Sequence, residues 1–210
     1  LRGVSRALVL AKIPFFSGAG DHRRVLESAE RLIKEAGARA LEVEGGPEIL
    51  PVVAKLVQAG IPIMAHIGAT AQASLSTGTF KVQGTEASAA RALLDLAREL
   101  QEVGAFAIML ECVPAEVADR MSRSLRIPVI GIGSGAQCDG QLLVAQDLLG
   151  LFDRFVPKFV KVYRKLGKEV VAAFRDFREE VETGAFPASE HSYSMEVEQS
   201  NQLQRLLGHS

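Results

Sequence analysis

The sequence predicts an α/β fold in which short buried strands alternate with helices around a parallel sheet. Two observations carry that expectation. Short apolar runs at 6–11, 40–44, 61–67, 105–111, 127–132 and 159–163 are separated by longer stretches of helical period. Strands that are apolar on both faces mark a sheet covered by helices on both sides. A phase relation adds to this. Gly37 stands seven residues before Glu44, and Gly104 seven before Glu111. Each glycine reads as the end of a helix, so each glutamate falls at the C-terminal end of the next strand. Parallel α/β folds build their sites at that end.

The elements follow in order. Arg2 and Arg6 precede Ala7-Leu-Val-Leu-Ala11, faintly like a secretion signal, but Lys12 and Pro14 interrupt the stretch early. A buried strand explains it better. The chain starts at Leu1 and enters this strand almost at once, which leads us to expect a chain lacking its front. Val25, Leu26, Ala29, Leu32, Ile33 and Ala36 then recur at helical spacing, with Asp21 as N-cap and Gly37 just past the end. Leu93, Leu94, Ala97, Leu100 and Val103 repeat the pattern, stopped by Gly104. Pro114, tolerated in a first turn, opens a helix toward Leu125. Gly131-Ile-Gly-Ser-Gly135 lacks the spacing of a dinucleotide fingerprint and reads as a tight turn after a strand. The run 159–163 is read as the sixth strand. A (β/α)8 barrel has eight strands and typically about 250 residues, so the pattern alone admits an open sheet or an incomplete barrel.

Composition narrows the function classes. The chain has 210 residues with 48% hydrophobic content, enough for one domain with a sizeable core. A net charge of −1 gives no electrostatic reason to expect nucleic acid or an acidic membrane as partner. The short basic run at 158–164 reads as a solvated face. Cys112 and Cys138 form no metal-binding pattern, which points to free thiols and a cytoplasmic location. No apolar run approaches the ~18 residues of a membrane span.

Glu42 and Glu44 lie two apart on one strand, so both side chains point to the same face. Glu111 ends another strand, and Lys12 and His66 end two more. Such a set suits enolisation of an α-keto acid: a divalent cation, best Mg²⁺ among oxygen ligands, and a carboxylate base. Taken singly, each strand-end glutamate reads as a salt-bridged or solvated residue, and His66 as a hydrogen-bonded structural histidine.

The wording of the strands goes further. Leu41-Glu-Val-Glu-Gly-Gly46, Gly60-Ile-Pro-Ile-Met-Ala-His-Ile-Gly68, Phe80-Lys-Val-Gln-Gly84 and Leu110-Glu-Cys-Val-Pro-Ala-Glu116 resemble successive blocks of the ketopantoate hydroxymethyltransferase family. So do Ile127-Pro-Val-Ile-Gly-Ile-Gly-Ser-Gly135, Cys138-Asp-Gly-Gln141, Pro157-Lys-Phe-Val-Lys161 and Phe186-Pro with Glu190-His-Ser-Tyr193. The resemblance implies a (β/α)8 TIM-barrel fold, here six β/α units with the first two strands missing. The barrel would cover 1–193, with a helical tail over 194–210. It also implies a homo-oligomer, commonly a decamer. The implied reaction carries 3-methyl-2-oxobutanoate and 5,10-methylenetetrahydrofolate to 2-dehydropantoate and tetrahydrofolate, with Mg²⁺ holding the keto acid. By resemblance Glu111 stands at the proton-abstracting glutamate and Glu44 at a metal ligand.

Three positions depart from the family's pattern. Lys12 stands where the family has a metal-coordinating Asp, and Glu42 where it has a lysine for the substrate carboxylate. Gln146-Asp147 replaces a His-Asp pair. The first two amount to a charge exchange between neighbouring strands. Either Glu42 joins Glu44 on the metal while Lys12 meets the substrate, or Lys12 and Glu42 form an ion pair in a site that has lost its metal. Two other functions compete with the transferase: a non-catalytic homologue with an assembly role, and an enolising barrel enzyme like phosphoenolpyruvate mutase or isocitrate lyase.

Overall fold

The computed structural model describes residues 3–14, 22–70, 81–152 and 154–208. The expected N-cap Asp21 and Phe80 of the family-like blocks lie outside them. The order of elements is β1 (Leu10–Lys12), α1 (His22–Lys34), β2 (Ala40–Glu44), α2 (Leu50–Gln58), β3 (Ile63–Gly68), α3 (Ala87–Glu102) and β4 (Ala107–Glu111). There follow α4 (Ala115–Ser124), β5 (Val129–Ile132), β6 (Gly140–Gln141), α5 (Ala145–Leu148), α6 (Leu166–Thr183) and α7 (Val197–Leu207). The six strands form one parallel sheet in sequential order, β1 to β6. Sequential parallel strands with intervening helices are the arrangement of a β/α-barrel fold.

The alternation of side chains along the strands divides two cores. On one face Leu41, Val43, Ile63, Ala65, Ile67, Ile108, Leu110 and Val129 pack with Val53 and Leu56 of α2, Leu96 and Leu100 of α3, and Met121 of α4. A smaller cluster of Met64, Ala107, Met109 and Ile132 covers the other face, with Leu10, Ile130 and Phe159 against it. Strand periodicity of two then assigns the polar residues. Lys12 follows Leu10, His66 follows Met64, and Glu111 follows Met109, all on the face of the smaller core. The larger core carries most of the apolar burial, and truncating a residue such as Leu110 to alanine would cost about 2–5 kcal/mol.

The helix stops work as the glycine spacing implied. Gly37 and Gly104 adopt positive φ, +72° and +101°, and the strands that follow end on Glu44 and Glu111. Pro114 stands one residue earlier than expected, as the N-cap of α4, and its carbonyl accepts the N–H groups of Val117 and Ala118.

The sixth strand is not the run 159–163. That place belongs to Gly140–Gln141, paired with Ile130 and Gly131 of β5. The run's own backbone is drawn elsewhere. The Val160 N–H closes a turn on the Pro157 carbonyl, and the Tyr163 N–H donates to Leu148. The Phe159 ring lies against Gly133, where any Cβ would meet it at 2.7 Å. The ring of Phe159 is therefore spent on covering the sheet, not on extending it.

The chain divides into two compact units. One holds the sheet and its helices, residues 1–144 with 157–160. The other holds α5, α6 and α7, residues 145–156 with 161–210. Gln146-Asp147 lies in the single turn of α5. Among the described residues no helix is long and apolar enough to cross a membrane.

Candidate active site at the strand ends

Five side chains from four adjacent strands meet on the smaller-core face. Strand pairing sets Lys12 beside Glu42 and Glu44 beside His66. Gly68 makes the last step possible. At φ +104° its backbone runs so close to the Glu111 carbonyl that a side chain would collide with it. The Ala69 N–H donates to that same carbonyl at 2.8 Å. The end of β3 thus holds the end of β4.

His66 is the centre of the group. Its Nδ1 lies 2.9 Å from Glu42 Oε1 and 3.7 Å from Glu44 Oε2, and its Nε2 lies 3.0 Å from Glu111 Oε2. Lys12 Nζ sits 3.4 Å from Glu42 Oε1 and in direct contact with Glu44 Oε2. The His66, Glu44, Glu42 and Glu111 side chains are 5%, 6%, 13% and 17% exposed, so water dilutes these interactions little.

The protonation states follow from this setting. Burial alone would lower the His66 pKa, but the Glu111 and Glu42 carboxylates set against its two ring nitrogens outweigh it and raise the pKa to about 9. Burial works against the charge of Glu42 too, and His66 and Lys12 overcome it, holding its carboxyl below the ordinary range. Lys12 is likewise pulled down by burial, yet Glu44 and Glu42 raise it above a free lysine. At neutral pH His66 is an imidazolium and Lys12 an ammonium.

Nearby groups support the turn that carries Glu111. Ser134, 1% exposed, donates its hydroxyl to the Leu110 carbonyl at 2.8 Å and accepts the Val113 N–H at 3.2 Å. It spans the bend at Cys112, which has φ +48°, an uncommon conformation for a residue other than glycine. Cys112 is no nucleophile: burial and the Glu111 charge push its thiol up to about 11. Cys112 and Cys138 are both free. A cavity of about 670 Å³ in the helical unit, lined by Phe152, Lys165, Lys168 and Arg175 among others, brings together no set of acids comparable to this one.

All four residues singled out from the sequence, Lys12, Glu42, Glu44 and Glu111, are therefore brought together. His66, read singly as a structural histidine, is the residue the sequence undervalued. The signal was available: Glu44 and Glu111 end their strands, and Glu42 and His66 lie two residues before the ends of theirs, all on one face. Lys12 pairs with both glutamates, not with Glu42 alone.

The donor atoms of Glu42, Glu44 and His66 lie within 4.8 Å of one another, a set compatible with a metal ion. The chemistry favours the two carboxylates. Hard oxygen donors suit Mg²⁺, which keeps several waters and needs only one or two protein carboxylates. A protonated His66 has no lone pair to offer. The donor set fits a hard cation, provided the Lys12 ammonium withdraws.

A family model described as ketopantoate hydroxymethyltransferase matches residues 1–189. Similar curated proteins carry the name 3-methyl-2-oxobutanoate hydroxymethyltransferase. The one from Oleidesulfovibrio alaskensis is 52% identical, over 92% of this chain and 67% of its own length. Those from Heliobacterium modesticaldum and Carboxydothermus hydrogenoformans are 49% and 48% identical, each over 94% of this chain and 72% of their own length.

Proposed function

The chain belongs to the ketopantoate hydroxymethyltransferase family, and on that premise we propose that it transfers a hydroxymethyl group from 5,10-methylenetetrahydrofolate to 3-methyl-2-oxobutanoate. The products are 2-dehydropantoate and tetrahydrofolate, a step of pantothenate biosynthesis. The observation that carries this reading is the contact of His66 with Glu42, Glu44 and Glu111 at one set of strand ends.

In this reading Glu111 is the general base. Its carboxylate takes the C3 proton of the keto acid, and the resulting carbanion equivalent forms a bond to the one-carbon unit of the folate. Both bonds from that carbon to N5 and N10 of the folate break, one replaced by the new carbon–carbon bond and the other by the hydroxyl from water. The two nitrogens each gain a proton, one from C3 by way of Glu111 and one from the water. His66 positions Glu111 through Nε2 while Glu42 anchors the opposite ring nitrogen. Glu44 and Glu42 would hold Mg²⁺, whose charge stabilises the enolate oxygen when it is bound. Lys12, freed from its carboxylates, is the cation available to the substrate carboxylate.

Location in the cytoplasm and assembly with copies of itself belong to the same reading. A specific observation favours the second reading, a non-catalytic homologue. Lys12 already neutralises both proposed cation ligands.

The deciding experiment is tetrahydrofolate and 2-dehydropantoate formation by the purified chain with Mg²⁺, beside Glu111→Gln. We expect turnover in the first and a loss of about 10²–10⁴-fold in the second, the usual contribution of a general base. Equal rates in both would remove Glu111 from the mechanism, and an inert parent chain would favour the non-catalytic homologue.

A further inference from the structure

Lys12 touches two carboxylates that chemistry would otherwise give to a metal. We infer that its ammonium is a built-in competitor for the divalent-cation place between Glu42 and Glu44, so that lysine and metal hold these carboxylates alternately. This rests on the proposed cation role of Glu42 and Glu44 and deepens it.

The geometry leaves little room for both. Nζ is in contact with Glu44 Oε2 and 3.4 Å from Glu42 Oε1. A metal bonded to those oxygens would lie within a few ångströms of the ammonium, among groups shielded from water, where like charges repel strongly. Lys12 is also able to leave. Its side chain is 45% exposed, while those of its partners are 13% and 6% exposed. It ends β1, a three-residue strand that pairs with β2 alone among the described residues, and its flexible four-carbon stem can carry the charge into solvent. Departure must break both ion pairs. The protein's affinity for a divalent cation is therefore reduced by the cost of evicting its own lysine, as for any site whose competent form is a minor population.

Direct binding measurements separate the elements of this proposal. Mn²⁺, whose free ion is counted by electron paramagnetic resonance, serves as the probe without substrate or turnover. We expect Lys12→Met and Lys12→Gln to bind Mn²⁺ at least about tenfold more tightly than the parent, because a positive charge at ion-pair range has gone. Lys12→Arg, which keeps the charge, should remain close to the parent. A measurement on the parent chain guards against a variant that does not fold. With ¹³C-labelled lysine, saturating Mg²⁺ should move the Lys12 ε-methylene resonance to the position of a solvated side chain.

If Lys12→Met, Lys12→Gln and the parent bind equally while Glu44→Gln binds more weakly, the competition is wrong and the cation role of Glu44 survives. If Glu44→Gln binds no more weakly than the parent, or no variant binds at all, the cation site itself is wrong and this inference falls with it. A Lys12 resonance that stays in place while Mg²⁺ binds also overturns the competition.

Discussion

The charge on His66 is held by two carboxylates in a place that burial alone would make neutral. In the metal-free protein this has a signed consequence. The folded pKa, about 9, lies above the unfolded value of 6.5. The stabilisation is fully present below pH 6.5 and is lost as pH rises through about 9. A shift of this size corresponds to something on the order of 3 kcal/mol. Thermal melting in chelator should therefore show a falling midpoint between about pH 6.5 and 9, and His66→Gln should flatten that fall. A parent chain whose midpoint stays level across the window would show that His66 is not charged in the folded state. The same residue marks how far single positions could be read. Each strand-end acid was identifiable from its phase, because the period of two fixes the face. The link that joins the acids through one imidazole depends on neighbouring strands being in register, which no single segment encodes.

At the level of elements, the turn after β4 aims Glu111 through a backbone bend that Ser134 supports on both sides. The bend at Cys112 has positive φ, and its conformation costs energy unless neighbours hold it. Ser134→Ala removes a buried donor and leaves the Leu110 carbonyl and Val113 N–H without that partner. We expect a destabilisation of about 1–3 kcal/mol by denaturant unfolding, with turnover reduced mainly in kcat and KM little changed. Ser134→Thr, which keeps the hydroxyl, should restore part of the rate. A loss of stability with kcat intact would reduce Ser134 to a purely structural residue. Most strands were legible because continuous apolar runs bounded by glycine have few alternatives. The run 159–163 failed for a reason of the same kind: Phe159 is as apolar as a strand residue, but it is used to cover Gly133. The two-residue strand at Gly140–Gln141 was too short and too polar to carry any periodic signal.

For the whole molecule, the sheet unit and the helical unit differ in how completely they bury their apolar residues. Every buried residue of the two core clusters belongs to the sheet unit. On α6, by contrast, Val170, Val171, Phe174, Phe177 and Val181 are all exposed, Phe174 at 71%. Their spacing of three and four places Val170, Phe174, Phe177 and Val181 along one side of the helix. Contiguous apolar surface of that kind is costly in water and commonly marks an interaction site. The strand pattern of the sequence did not single out α6 and says nothing of what its apolar side faces. The family resemblance supplied the expectation of a homo-oligomer, and that expectation can be tested on this helix. Sedimentation of the parent chain should give a species heavier than the 22.6 kDa chain, and Phe174→Lys with Val181→Lys should shift it toward the monomer mass while leaving the far-ultraviolet helix signal unchanged. A parent chain that sediments as a monomer at all concentrations would remove self-assembly from the reading without touching the chemistry at the strand ends. A variant that loses helix signal along with mass would show that this side of α6 is needed for folding, not for association.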